Sequence, residues 1–261
     1  MKLNKIYHSD NLVILKKMKS NMIDLIYCDP PYFSQRNYIE FNDTWNSIDE
    51  YLAWMKVRLV HMHRVLKPTG SIYLHCDWHA SHYLKVIMDD IFGYKNFRNE
   101  IVWSYHTGGA SKKHFSRKHD VILFYSKSDK YYFNTDEIHE EFREDKTDHF
   151  KDVDKNGNRC RIREVNGKEY YYYLEDGKIP TDVWEIASLN AASKERKGYP
   201  TQKPQALLER IIKASSNKRD LVLDPFCGCG TAVEVAQKLG RNFIAIDVSP
   251  KACRLTKRSL K

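Results

Sequence analysis

Four short runs constrain this chain more than any other feature: IDLIYC (23–28), SIYLHC (71–76), DLVLD (220–224) and NFIAID (242–247). Each is nearly continuous in apolar residues and too short for a helix of ordinary length. A strand of this kind has no polar face, so both of its sides must be covered. The stretches around them supply the cover. NLVILKKMK places Leu12, Leu15 and Met18 on one helical face. Residues 48–66 keep a helical period and stop at Lys67-Pro68-Thr69-Gly70. SHYLKVIMDDIF is closed by Gly93, and KPQALLERIIKAS carries a stripe of Leu207, Leu208, Ile211 and Ile212. GTAVEVAQKLG is closed by Gly240, and SPKACRLTKRSL opens with Ser249 as N-cap and Pro250 at the first helical position. Buried strands alternating with amphipathic helices predict an α/β fold with a doubly wound, mostly parallel sheet.

The rhythm breaks in the middle. NEIVWSYH (99–106) and DVILFYSK (120–127) read as two strands joined by a basic, Gly-containing stretch. Residues 128–198 are charged and Tyr-rich, with turn signals at Asn156-Gly157, Asn166-Gly167 and Asp176-Gly177. The two Asn-Gly pairs predict hairpins. The expected organisation is therefore 1–127, an inserted region over 128–198 with its most mobile part at 135–160, and 199–261 completing the first domain.

Charge points to a polyanionic partner. The chain carries 43 Lys and Arg against 34 Asp and Glu, a net charge of +9. The stretch SKKHFSRKH (111–119) holds four Lys or Arg and no acid, whereas 136–154 holds nine acids against three. A basic run is more often a plain solvated face, but His114 and Phe115 interleave aromatic rings with these cations. No apolar run reaches 18 residues, and no hydrophobic segment follows the lysines of MKLNKIYHSDN; neither a membrane span nor a signal peptide is expected, and the location expected is cytoplasmic. Six scattered cysteines do not form a disulfide framework. His75, Cys76, Asp77, His79 and His82 crowd one stretch, but no second cluster has ligand spacing, so no metal is expected.

Two motifs carry chemistry. In VLDPFCGCGTA (222–232) a strand ends at Asp224, a turn contains Gly228 and Gly230, and a helix follows. Such a turn brings backbone N–H groups close to a ligand at a helix N-terminus. It is neither a Walker A loop nor a complete G-x-G-x-x-G fingerprint, since Val233 stands at the third glycine. The next strand ends at Asp247, seventeen residues after Gly230. A carboxylate there suits the two hydroxyls of a ribose, so the pair reads as a nucleoside-type cofactor pocket. The second motif is Asp29-Pro30-Pro31-Tyr32. Two prolines remove two N–H donors and fix φ, leaving the Asp29 carboxylate and the Pro30 carbonyl as preset acceptors beside the Tyr32 ring. That cluster suits a planar NH2 group whose ring stacks on the aromatic. The plain alternative is a Pro-rich turn that ends a strand.

With both motifs the chain resembles the DNA amino-methyltransferases, which methylate adenine N6 or cytosine N4 with S-adenosylmethionine. The resemblance is to the permuted beta class, in which Asp-Pro-Pro-Tyr precedes the target-recognition region and the cofactor loop comes last. It covers most of the chain outside 128–198 and rests on Asp10 in HSDNL, DPPY (29–32), GSIYLHCD, NEIVWSYH, YPTQKPQALLERII (199–212), LDPFCGCGT (223–231) and IAIDVS (244–249). It implies a seven-stranded, Rossmann-like methyltransferase sheet, circularly permuted. It implies that Asp10 faces the cofactor adenine and that Thr201, Gln202 and Lys203 hold its methionine end. Asp224, Pro225, Phe226, Gly228, Gly230 and Thr231 would form the cofactor loop, with Asp247 on the ribose and Ser249 beside it. Asp29, Pro30, Pro31 and Tyr32 would bind the target amine. Cys229 departs from the serine or other small residue that many relatives carry, but it is itself small.

The activity so implied is site-specific methylation of adenine N6 in double-stranded DNA, after the base flips out of the stack. Lys112, Lys113, Arg117 and Lys118 would hold phosphates, and 128–198 would read the sequence. A homodimer and a cognate restriction endonuclease are the further partners implied. Alternatives are cytosine N4, to which serine rather than Asp29 would lean, methylation of adenine in RNA, and a non-catalytic nucleic-acid-binding module. The last predicts a damaged motif, and both motifs are intact.

Overall fold

A computed structural model describes residues 1–105, 109–142 and 144–260. Strand β1 (Lys5–His8) leads through helix α1 (Asn11–Lys17) to β2 (Ile23–Cys28). A two-stranded ribbon follows, β3 (Arg36–Asn37) with β4 (Asn42–Asp43). Then come α2 (Ile48–Val65), β5 (Leu66–Cys76), α3 (Ser81–Phe92), β6 (Phe97–Ser104) and β7 (His119–Ser126). The insert carries β8 (Asp152–Val153), β9 (Arg159–Val165) and β10 (Lys168–Tyr173). The chain ends with β11 (Val183–Glu185), α4 (Gln205–Ser215), β12 (Leu221–Asp224), α5 (Thr231–Lys238), β13 (Asn242–Asp247) and α6 (Pro250–Ser259).

The main sheet runs β1-β13-β12-β2-β5-β7-β6-β11. All neighbours are parallel except β7, which is antiparallel to both β5 and β6. It is one strand wider than expected. Val183–Glu185 pairs with Val102–Ser104 and buries Trp184, so this short piece of the region assigned to the insert closes the sheet edge. The strand expected over 99–106 is Phe97–Ser104; His106 lies outside the described residues. Strand β5 begins at Leu66, before the expected stop, because Gly70 lets the backbone run against β2: a Cβ there would stand 2.8 Å from the Asp24 carbonyl.

Alternation along each strand divides the core between two faces. Ile26, Cys28, Ile72, Leu74, Leu223 and Ile244 pack with Leu15 of α1, Met55, Leu59 and Met62 of α2, and Leu84 and Met88 of α3. Leu25, Tyr27, Tyr73, Val222 and Phe243 pack with Leu207, Leu208, Ile211 and Ile212 of α4 and Val233 and Ala236 of α5. Caps set the helix starts. The Ser47 hydroxyl accepts from Glu50 N at 3.1 Å with Asp49 and Glu50 in the first turn of α2, and Ser249 caps α6 ahead of Pro250.

The chain divides into two compact units, Met1–Phe133 with Asp182–Lys261, and Asn134–Thr181. Residues 128–133 and 182–198, read from the sequence as insert, fall in the larger unit. Both expected hairpins are present in the smaller one. Asn166 (φ 54°) and Gly167 (φ 75°) turn β9 into β10, and Gly157 (φ 87°) lies between β8 and β9. No helix among the described residues is long and apolar enough to cross a membrane.

Candidate active site

Helices after β1 and β2 cover one face of the sheet, whereas those before and after β12 cover the other. The direction of winding therefore reverses between β12 and β2, and the strand ends at such a reversal leave a crevice. Here that crevice is a cavity of about 1020 Å³. All of its lining residues belong to the larger unit.

On one side stands Asp29, one residue past β2. Each carboxylate oxygen has a donor: the Tyr32 hydroxyl at 2.6 Å on Oδ1 and Lys203 Nζ at 2.7 Å on Oδ2. Lys203 also lies 5.2 Å from the centre of the Tyr32 ring. Burial, and then the Asp29 charge, push the Tyr32 hydroxyl well above its ordinary pKa, so it remains a donor. Tyr51 of α2 donates to the Pro31 carbonyl at 2.8 Å and pins the second proline. The chain beyond Tyr32 is held by buried Asp43, which accepts from Phe33 N at 2.8 Å, Ser34 N at 3.1 Å and the Ser34 hydroxyl. Phe33 (φ 65°) and Gln35 (φ 57°) adopt left-handed backbone there, a conformation such residues keep only when surrounding bonds enforce it.

A buried polar line supports this cluster from β5 and β7. His75 has no exposure and bonds the Tyr27 hydroxyl through Nδ1 at 2.8 Å and Asp120 Oδ2 through Nε2 at 3.3 Å. The Tyr105 hydroxyl donates to Asp120 Oδ1 at 3.0 Å. Burial pushes the Tyr27 hydroxyl well above its ordinary pKa, so Tyr27 keeps its proton. The Asp120 carboxylate is an acceptor, so His75 offers it Nε2–H. Burial alone would raise the Asp120 carboxyl, but its bonds to His75 and Tyr105, with the charge of Lys203 nearby, hold it below the usual range. The His75 ring lies 5.7 Å from that of Tyr32, so this line backs the aromatic of the motif.

Opposite lies the glycine-rich turn. Phe226 N bonds Asp224 Oδ1 at 3.2 Å, Asn11 Nδ2 donates to the Pro225 carbonyl at 2.9 Å, and Cys227 N donates to the Ile246 carbonyl at 3.0 Å. Asp247 accepts from Gly228 N and Ser249 N, both at 2.8 Å. Burial raises the carboxyls of Asp224 and Asp247, well above the ordinary range for Asp224. Gly228 (φ 49°) lies under the Tyr199 ring, 3.1 Å from where a Cβ would point. Asp10 caps α1 through Leu12 N at 2.7 Å and pairs with Arg58 at 2.6 Å. The guanidinium of Arg58 stacks on Trp54 at 3.7 Å, and Trp54 lies 5.7 Å from the Phe226 ring. An open glycine turn, carboxylates at two strand ends and an aromatic wall fit a nucleoside-type cofactor.

Of the residues named from the sequence, Asp10, Asp29, Pro30, Pro31, Tyr32, Thr201, Gln202, Lys203, Asp224, Pro225, Phe226, Gly228, Thr231 and Asp247 line this one cavity. Gly230 and Ser249 do not: Gly230 caps α5 against Thr256, and Ser249 caps α6. Gln202 spends its amide on its own loop, accepting from Lys197 N and donating to the Glu195 carbonyl, both at 2.7 Å. In the basic loop Arg117 lines the cavity and stacks on Trp78 at 3.8 Å, whereas Lys112, Lys113 and Lys118 lie outside the lining. Sequence reasoning passed over Asp120, Trp54 and Arg58, and weighed His75 only as a metal ligand. The signal for His75 was its place in an apolar strand, where a titratable ring needs buried partners.

The DNA methylase family model matches residues 23–258. The chain is 35% identical over 256 residues to the type II methyltransferase M.HpaI of Haemophilus parainfluenzae, covering 97% of this chain and 72% of that one. It is 34% identical to the DNA adenine methyltransferase YhdJ of Escherichia coli (strain K12), covering 98% and 82%. Among solved structures, the PvuII DNA methyltransferase (cytosine-N4-specific) superposes with a TM-score of 0.71 at 16% identity, covering 100% of this chain and 87% of the other. M1.HpyAVI, solved as a complex with SAM, superposes at 0.59 and 20% identity, covering 98% of both chains. These two likenesses concern the fold. With the family model matching residues 23–258 and relatives at 34–35% identity aligned over 97–98% of this chain, the chain belongs to the DNA methylase family.

Proposed function

We propose that the protein is a site-specific DNA methyltransferase that moves a methyl group from S-adenosylmethionine to adenine N6. The observation that carries this reading is the placement of Asp29 and Pro30 in one cavity with the glycine turn and Asp247. S-adenosylmethionine supplies an electrophilic methyl group on a sulfonium. Asp247 would take the ribose hydroxyls, the backbone at Gly228 would lie against the cofactor, and Phe226 with Trp54 would face its adenine.

The exocyclic amine is a poor nucleophile because its lone pair is delocalised into the ring. Asp29 and the Pro30 carbonyl accept its two hydrogens and favour a tetrahedral nitrogen, which aims the lone pair at the methyl group. Tyr32 stacks on the base. Lys203 and the Tyr32 hydroxyl fix the direction of the Asp29 carboxylate, and buried His75 backs the Tyr32 ring. Positioning and preset acceptors lower the barrier, and no covalent enzyme intermediate is needed. The amine of a paired base is out of reach, so the base must leave the stack, at a cost of about a few kcal/mol.

The naming of the M.HpaI relative supports methyl transfer, and that of the YhdJ relative supports DNA and adenine. The unit Asn134–Thr181 is the reader of sequence in this proposal, and the protein acts in the cytoplasm. Cytosine N4 is the second reading, since the matched family model takes in both N6 and N4 methylases. Pairing with a restriction endonuclease and homodimerisation belong to the same proposal. Genomic DNA treated with the protein and labelled S-adenosylmethionine should yield N6-methyladenine on nucleoside analysis, and base-resolved sequencing should map it to one site. N4-methylcytosine would overturn the choice of base. Label in RNA alone, or in neither, would overturn the function.

A further inference from the structure

Two large apolar side chains stand almost wholly in water, Phe115 at 98% and Ile39 at 99% exposure. Both sit on turns at the rim of the cavity. His114 and Ser116, on either side of Phe115, line it, as do Tyr38 and Phe41 around Ile39. Full exposure of a Phe ring forfeits the stabilisation that burial gives. It is therefore informative when the backbone beneath it is held rather than loose.

The turn under Phe115 is held at several points. Ser111 Oγ accepts from Lys113 N at 3.2 Å and His114 N at 3.3 Å, and Ser111 N donates to Ser116 Oγ at 3.2 Å. The His114 ring bonds the Phe115 carbonyl at 2.9 Å, and Lys118 Nζ donates to the Gly109 carbonyl at 3.2 Å. Arg117 anchors the loop with its guanidinium over the Trp78 ring, which itself stacks on His79 at 3.8 Å. The surroundings of the two tips differ. Lys112, Lys113, Arg117 and Lys118 surround Phe115, whereas Ile39 precedes Glu40, an acid paired with Lys251 at 2.7 Å. Cations suit an approach to a phosphate backbone; a carboxylate does not.

We propose that Phe115 is a wedge that enters the duplex and stacks in the place left by the departing target base. The proposal rests on the reading of the cavity as a DNA amino-methyltransferase site. Extruding a base breaks two stacking contacts, and an aromatic ring inserted from the cavity rim replaces part of them. The preset turn brings that ring without ordering a loop at the moment of binding.

The test compares wild type, Phe115→Ala, Phe115→Trp and Ile39→Ala. The substrates are a duplex oligonucleotide carrying the mapped site and the same strand with an abasic site opposite the target base. Methyl transfer is read as kcat/KM, and S-adenosylmethionine affinity is measured by calorimetry as a check on the fold. Phe115→Ala should lose roughly 5- to 150-fold on the intact duplex, the range for removing one base–aromatic stack. It should lose much less opposite the abasic site, where the base leaves more easily. Phe115→Trp should stay near wild type, and cofactor affinity should not move. An equal loss on both substrates, no loss, or a loss confined to Ile39→Ala would overturn the wedge while leaving the methyltransferase reading standing. A wild-type protein inactive on both substrates would sink that reading, and the wedge with it.

Discussion

Replacing Gly230 with alanine tests how the glycine turn is built. Gly230 sits at φ 81°, where an added side chain costs about 1–2 kcal/mol of backbone strain. Its Cβ would also lie deep inside van der Waals contact with Thr256 Cγ2, 2.7 Å from Oγ1 and 2.8 Å from Cβ of that residue. Crowding of this kind costs about 1–3 kcal/mol, and the loss of chain freedom in the unfolded state returns about 0.4–1 kcal/mol. Gly230→Ala should therefore destabilise the protein by about 1–4.5 kcal/mol, read from the midpoint of urea unfolding with the slope unchanged. Thr256→Ser separates the two causes. It deletes Cγ2 but keeps the hydroxyl that bonds the Gly228 carbonyl at 3.0 Å. The double variant should recover the part of the crowding due to Cγ2 and leave the backbone share with the contacts to Oγ1 and Cβ, a coupling of about 0.5–3 kcal/mol. Additive losses would refute crowding against α6, and a Gly230→Ala variant as stable as wild type would refute both causes.

Other perturbations address the chemistry. Asp29→Asn should abolish methyl transfer and spare cofactor binding; transfer near the wild-type rate would remove Asp29 from its role. Lys203→Met removes a charge-assisted bond worth about 1.5–3 kcal/mol from Asp29, so kcat should fall more than cofactor affinity, and the reverse order would assign Lys203 to the cofactor. Burial raises the Asp247 carboxyl, and ribose hydroxyls favour its ionised form; cofactor affinity should be full above that raised pKa and fall as pH drops through it, starting above the ordinary carboxylate range. Asp247→Asn should weaken binding and flatten this profile in calorimetry, and an unchanged profile would show another group at work. Lys112→Ala with Lys113→Ala should weaken DNA binding on all sequences and reduce the salt slope by about 1 per lysine; an unaltered slope would place the phosphates elsewhere.

The central strands were legible because burial on both faces writes itself as unbroken apolar runs. IDLIYC, DLVLD and NFIAID became β2, β12 and β13 within a residue. Strand β11 was not legible: three residues, VWE, have no pattern of their own and become a strand only by pairing with β6. Gly70 read as a helix stop because nothing local reveals the Asp24 carbonyl against it. Within the site, the residues named from the sequence gave about a third of the cavity wall. The partner of Asp29 was hidden, since Lys203 lies 174 positions away and was expected on the cofactor. Likewise the bond between His75 and Asp120 depends on the packing of antiparallel β5 and β7, which no spacing along the chain encodes.

The place of β12 in the sheet bears on how the protein is made. Strand β2 pairs on one side with β12, and the Leu221 amide closes on Asp24 across 197 positions of chain. Strand β1 finds its only neighbour among the described strands in β13. A ribosome adding about 5–20 residues per second therefore leaves β1 and one edge of β2 open for roughly 10–40 s before their neighbours emerge. During that interval Leu25 and Tyr27 lack the α4 and α5 residues that will cover them. The nascent segment that carries β1 and β2 thus keeps apolar surface open until β12 and β13 follow, and the glycine turn between those two strands arrives with the pieces that close the core.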